Sequence, residues 1–110
     1  MNYKDFNKQC YTHETILRNV VYDENKKELT FYLDYCEWQL EECNFKQKGY
    51  ILKFYGVENV TDKSILRCKN QFIVAINLKK LSAYLSVEDD EYVDIEFNYK
   101  NFEVEFIDAN

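Results

Sequence analysis

The sequence predicts a mainly β domain: a small antiparallel sandwich or partly open barrel of about seven strands, with room for one short helix. Three observations carry this. Apolar and polar residues alternate with period two over much of the chain, as in half-buried strands. Ten Tyr and eight Phe, with one Trp, supply large rings, which suit pleated surfaces and bury much area in a small core. Polar clusters separate the alternating runs, and no strong helical stretch interrupts them.

Taken in order, 15–23 is rich in Ile, Leu and Val. The cluster Asp23-Glu24-Asn25-Lys26-Lys27-Glu28 turns the chain, and Leu29, Phe31, Leu33 and Tyr35 follow at even spacing. The stretch 15–36 therefore reads as a hairpin. Residues 37–48 are polar and read as a long loop sending Trp38, Leu40 and Phe45 inward, Trp38 as a plug over one end of the barrel. A strand over 49–55 ends at Gly56, and 65–68 has the character of a short strand. Over 72–87, Val74, Leu78, Leu81 and Leu85 keep helical spacing, while Leu81, Ala83, Leu85 and Val87 alternate. Strands at 72–78 and 81–87 are expected, with a helical turn as the alternative. Finally, Val93, Ile95 and Phe97, then Phe102, Val104 and Phe106, alternate on either side of Asn98-Tyr99-Lys100-Asn101, which predicts a hairpin. Proline is absent and there are two glycines, so turns must rely on Asn and Asp.

The 110 residues form one domain, 1–110, with one core. At 46% apolar and 31% charged residues, the chain is too apolar for disorder. Residues 1–10 have no apolar h-region and no stretch approaches the roughly 18 apolar residues of a membrane span, so a cytoplasmic protein without membrane contact is expected. Richness in Lys, Asn, Glu, Tyr and Ile fits an AT-rich bacterial genome. The four cysteines lack Cys-x-x-Cys spacing and there is one His. Reduced, partly buried thiols are expected rather than a zinc site, and no cofactor is implied.

Charge is segregated. Residues 84–110 carry 9 acids and 1 base, a net −8, while 1–83 carry 11 acids and 13 bases, a net +2, together giving −6. Pairing the terminal hairpin around 98–101 places Glu96 opposite Glu103 and Asp94 opposite Glu105 on the outward side. Each such like-charge pair costs roughly 0.2–1 kcal/mol. Together with Glu88, Asp89, Asp90 and Glu91 they make an acidic face suited to docking a basic protein, with Tyr84, Tyr92 and Tyr99 as contact rings. A plain solvated face or an edge guarded by charge is equally compatible with the pattern, and Lys53, Lys79 or Lys80 on neighbouring strands would neutralise it. Calcium is disfavoured because no D-x-D-x-D-G loop is present. Nucleic acid is disfavoured by the missing Lys/Arg stripes, although an acidic mimic of nucleic acid fits. His13-Glu14 has the form of a carboxylate-oriented base, but no nucleophile or acid accompanies it. A structural His at strand entry is the simpler reading, and two isolated glycines exclude phosphate loops.

His13-Glu14-Thr15-Ile16-Leu17, Leu52-Lys53-Phe54-Tyr55-Gly56-Val57 and the alternating C-terminal segment together resemble a group of small uncharacterised bacterial proteins. That group opens with a His-acidic-Ser/Thr-x-apolar strand and later shows an apolar-x-Phe-x-Gly-Val segment. Glu14 and Thr15 stand where Asp and Ser are usual. Some members are similar to immunity proteins of polymorphic toxin systems, which implies a β-rich inhibitor that binds a toxin. The resemblance carries over no catalytic residues. The expectation is a non-enzymatic acidic binding protein, an immunity-type inhibitor docking a basic toxin domain through hairpin 88–105. The alternative is a structural or assembly module, a homodimer or complex subunit. A ligand-holding barrel comes next, and an enzyme has least support.

Overall fold

The computed structural model describes residues 1–108, apart from the side chains of Asp89 and Glu91. Seven strands form one antiparallel sheet: β1 (Ile16–Asp23), β2 (Glu28–Asp34), β3 (Gln47–Tyr55), β4 (Gln71–Leu78), β5 (Ser82–Asp89), β6 (Glu91–Asn98) and β7 (Asn101–Asp108). Their spatial order is β6-β5-β4-β1-β2-β3-β7. The β1–β4 joint is narrow, with only Ile16 opposite Phe72 and Leu17 opposite Gln71. Two bonds extend it: the Glu14 amide donates to the Ile73 carbonyl, and the Ile73 amide to that of Thr15, both at 2.8 Å. The sheet folds over along this line. Phe97 of β6 then lies 4.9 Å from Phe54 of β3 and 6.3 Å from Phe31 of β2. The expected sandwich and the expected open barrel are thus one object, a continuous sheet doubled over an aromatic core.

The terminal hairpin is a correction. β6 and β7 flank a two-residue connection, yet they occupy opposite edges of the sheet. β6 pairs with β5 over eight positions and β7 with β3 over eight. Alternation dictates which side chains face inward, not which strand lies alongside. The observed pairing also removes two like-charge contacts: Glu96 faces Tyr84 and Asp94 faces Ser86, while Glu103 faces Lys53 and Glu105 faces Ile51. Doubling of the sheet brings its two edges close enough for Tyr99 and Lys100 to bridge them. The Tyr99 amide donates to the Leu81 carbonyl at 3.0 Å and the Lys100 amide to that of Tyr55 at 2.8 Å. Tyr99 itself is buried, with its ring 5.1 Å from that of Phe54 and its hydroxyl donating to the Lys79 carbonyl. It is a corner anchor, not an exposed contact ring.

Helices occupy places where the sequence reads as polar chain. α1 (Tyr3–Gln9) starts on a capping box between Asn2 and Asp5 and buries Phe6. The Asn7 amide exchanges two hydrogen bonds with the Leu78 backbone, at 2.7 and 3.0 Å, so it substitutes for a strand neighbour that β4 lacks there. α2 (Glu37–Glu42) replaces the first part of the expected long loop. Trp38 points outward, 39% exposed, which corrects its role as a plug. The neighbouring Phe45 ring packs inward instead, 4.4 Å from Tyr35. A 3₁₀ turn at Lys63–Arg67 stands where 65–68 reads as a strand, and its Ile65 is buried. The strand reading of 72–87 holds. Left-handed backbone at Asn44, Asn59, Asn70 and Asp90 bears out the reliance of the turns on Asn and Asp, with Glu14 and Lys27 as further cases. Cys10, Cys36 and Cys68 are buried, and Cys43 is exposed. No helix among the described residues is long and apolar enough to cross a membrane.

Candidate functional site

Strand alternation builds the first part of the site. Inward positions of β4, β5 and β6 fill the core in rows such as Ile76-Leu85-Ile95, so the intervening residues must face out. The outward rows are Phe72-Glu88-Tyr92, Ala75-Ser86-Asp94 and Asn77-Tyr84-Glu96. Five sequence-selected residues, Tyr84, Glu88, Tyr92, Asp94 and Glu96, therefore share one face. Asp90, exposed and left-handed at φ 51°, continues it at the turn. The Tyr84 and Ser86 hydroxyls both donate to Asp94 Oδ1, at 3.2 and 2.5 Å, which fixes that carboxylate in place. Among the described residues, no Lys or Arg forms an ion pair with Glu88, Asp94 or Glu96; the four Lys and Arg ion pairs lie elsewhere. Lys79 stands at the border, lining with Tyr84 and Glu96 a recess of about 40 Å³. Rings are also bare on this face: Tyr92 is 68% exposed and Phe72 47%.

Glu103 and Glu105 do not join this face. They point outward from β7, on the opposite layer, where Lys53 lies across from Glu103. The Lys53 ammonium pairs with Glu28 at 3.4 Å, and the Tyr55 hydroxyl donates to Glu103. That bond to a carboxylate pushes the Tyr55 phenol above its ordinary pKa. Lys53 thus stands across from a β7 acid while its ion pair is with Glu28 on β2. Lys80 lies at the far corner near Tyr99 and Lys100. Asp89 and Glu91 lie outside the described side chains.

Beside the acidic face, at the fold line between β1 and β4, a cavity of about 390 Å³ opens to the surface. His13, Glu14, Trp38, Phe72, Val74 and Glu88 contribute to its walls, so Phe72 and Glu88 belong to face and cavity alike. Its frame is tightly bonded. His13 Nδ1–H donates to the Val74 carbonyl at 3.0 Å. Gln39, fully buried, donates from Nε2 to the His13 carbonyl at 2.8 Å and accepts from the Cys36 amide at 2.9 Å. Thr15, also fully buried, donates its hydroxyl to the Thr12 carbonyl at 2.6 Å. Between these bonds Glu14 is held at φ 64°, a costly conformation for a residue with a side chain. The strand-entry hydrogen bond expected of His13 is present. Phe72 and Gln39 carry no signal in the sequence and Trp38 reads there as a plug, because each looks like ordinary core or loop until the doubled sheet brings them together.

No family model matches the chain, and no curated protein matches it. Among solved structures, it is similar to the crystal structure of an uncharacterised protein from Neisseria gonorrhoeae. The likeness covers 86% of this chain and 93% of that one, with a TM-score of 0.53 and 13% sequence identity. At that identity, what the two chains share is the fold.

Proposed function

We propose that this chain is a non-enzymatic binding domain that docks a basic protein through the outer face of β4, β5 and β6. One observation carries the reading. Glu88, Asp94 and Glu96 share a face with exposed Tyr92 and Phe72, and no ammonium or guanidinium pairs with them among the described residues. Unpaired carboxylates steer a cationic partner and exclude anionic ones, while neighbouring rings contribute contact energy once water is displaced. The docking element is the three-stranded layer, and Glu103, Glu105 and Tyr99 have no part in it. Combined with the resemblance of the His13–Leu17 and Leu52–Val57 segments to a group of small bacterial proteins, some of them similar to immunity proteins, the concrete form of the proposal is an inhibitor that covers the cationic site of a toxin domain.

Co-purification with the product of the adjacent gene, across a range of salt concentrations, tests this. Binding is expected to weaken steeply as salt rises and to be lost in the Asp94→Lys, Glu96→Lys double variant. A complex indifferent to both salt and charge reversal removes the acidic face from the mechanism.

A further inference from the structure

The cavity at the fold line has a chemistry of its own. Its charged walls are the carboxylates of Glu14 and Glu88, and among the described residues no ammonium or guanidinium lines it. His13 adds a third acceptor. Its Nδ1–H is committed to the Val74 carbonyl at 3.0 Å, so in the neutral ring Nε2 carries a lone pair. In that neutral form the lone pair sits 3.7 Å from Glu14 Oε1, so two acceptors lie side by side. A ligand N–H placed there serves both. The remaining walls include the partly exposed Trp38 and Phe72 rings, whose faces attract cations. The frame is bonded in advance through Gln39, Thr15 and Val74, so little ordering is needed on binding.

These properties select the occupant. An anion is repelled by Glu14 and Glu88. An apolar molecule would strip water from both carboxylates without replacing it. A hard cation prefers six or more oxygen ligands, and the described residues include no cluster suited to a metal. A compact ammonium offers three donors on one atom and no planar face to lay against the rings. A guanidinium is planar, offers five donors in a fork, and stacks on rings. At about 390 Å³ the space lies near the small end for ligand sites and accommodates one long side chain.

We propose that this cavity receives a single arginine side chain of the basic partner, its plane against Trp38 and Phe72 and its N–H groups donated to Glu14, Glu88 and His13 Nε2. The inference rests on the docking reading, since Glu88 and Phe72 join the cavity to the acidic face. It names the residue that the partner inserts.

Trp38 is the chain's only tryptophan, so its fluorescence reports on this cavity alone. The full chain is titrated with N-acetyl-arginine amide, with the lysine analogue of equal charge, and with the neutral citrulline analogue of nearly equal shape. The expected result is a saturable change with arginine, a response at least about fivefold weaker with lysine, and none with citrulline. Glu88→Gln, at an exposed position that leaves the frame intact, should weaken arginine binding by roughly fivefold. An absent or unsaturable arginine response overturns the proposal. So does an equal response to lysine or citrulline, or one that Glu88→Gln leaves unchanged. Because these probes need no partner, failure here leaves the docking face standing. Conversely, a partner that binds the Asp94→Lys, Glu96→Lys variant normally removes the face without touching the cavity.

Discussion

Gln39 shows how much one buried polar side chain can organise. Its amide answers the Cys36 amide and the His13 carbonyl, tying the start of α2 to the segment that enters β1. Gln39→Ala leaves the buried Cys36 amide without a partner and strips the part-buried His13 carbonyl of its donor, which should cost about 1–3 kcal/mol and appear as a lower urea midpoint. A second residue-scale expectation concerns alkali. Burial pushes the Cys10 thiol from 9.0 up to about 11 and the Tyr35 phenol from 10.0 up to about 12. Burial also holds Tyr50 well above its ordinary value. The folded chain keeps these protons while the unfolded chain releases them, so the stabilisation is complete below about pH 9 and is lost as pH rises towards about 12. Urea midpoints measured from pH 8 to 11 should fall, and fall less for Cys10→Ala relative to its own starting value.

At the scale of elements, the strands were legible in the sequence and their neighbours were not. Leu29-Phe31-Leu33 and Val93-Ile95-Phe97 announce pleated segments because period two follows from the backbone itself. Pairing depends on how the sheet folds, and the two-residue link between β6 and β7 looks the same whether it turns a hairpin or spans two edges. α1 and α2 were hidden for another reason. At seven and six residues they are too short to display a 3.6-residue stripe, and each places one side chain, Phe6 or Gln39, in the interior. The edge assignment can be checked by cross-linking in a Cys43→Ser background. Tyr84→Cys with Glu96→Cys occupies facing positions of β5 and β6, where the Cα separation of paired strands, about 4.5–5.5 Å, suits a disulfide. That variant should form the bridge on oxidation, detected by peptide mass mapping. Glu96→Cys with Glu103→Cys should not, since those residues face out from opposite layers.

For the whole molecule, charge was the most informative sequence signal and also the least complete. Of the acids crowded after residue 84, Glu88, Asp94 and Glu96 share one face, because alternation along β6 sends Asp94 and Glu96 to the same side as Tyr92. Glu103 and Glu105 stand apart from that face, because β7 pairs with β3 at the other edge of the sheet. The cavity had no sequence signature. His13, Trp38, Phe72 and Glu88 are far apart in the chain and meet only at the fold line. Double charge reversal at Asp94 and Glu96 takes the net charge from −6 to −2, by two changes of +2 each. It should suppress partner capture at low salt while leaving the circular dichroism spectrum unchanged, since both side chains face water.

The narrow joint between β1 and β4 gives that cavity an unusual mechanical position. Its walls come from the segment entering β1 and from α2, with His13 and Trp38, and from β4 and β5, with Phe72 and Glu88, and only two residue pairs join β1 to β4. A guest lodged there braces one slab against the other, like a key set in a crease. Occupancy would therefore stiffen the domain as a body, so that recognition and rigidity rise together.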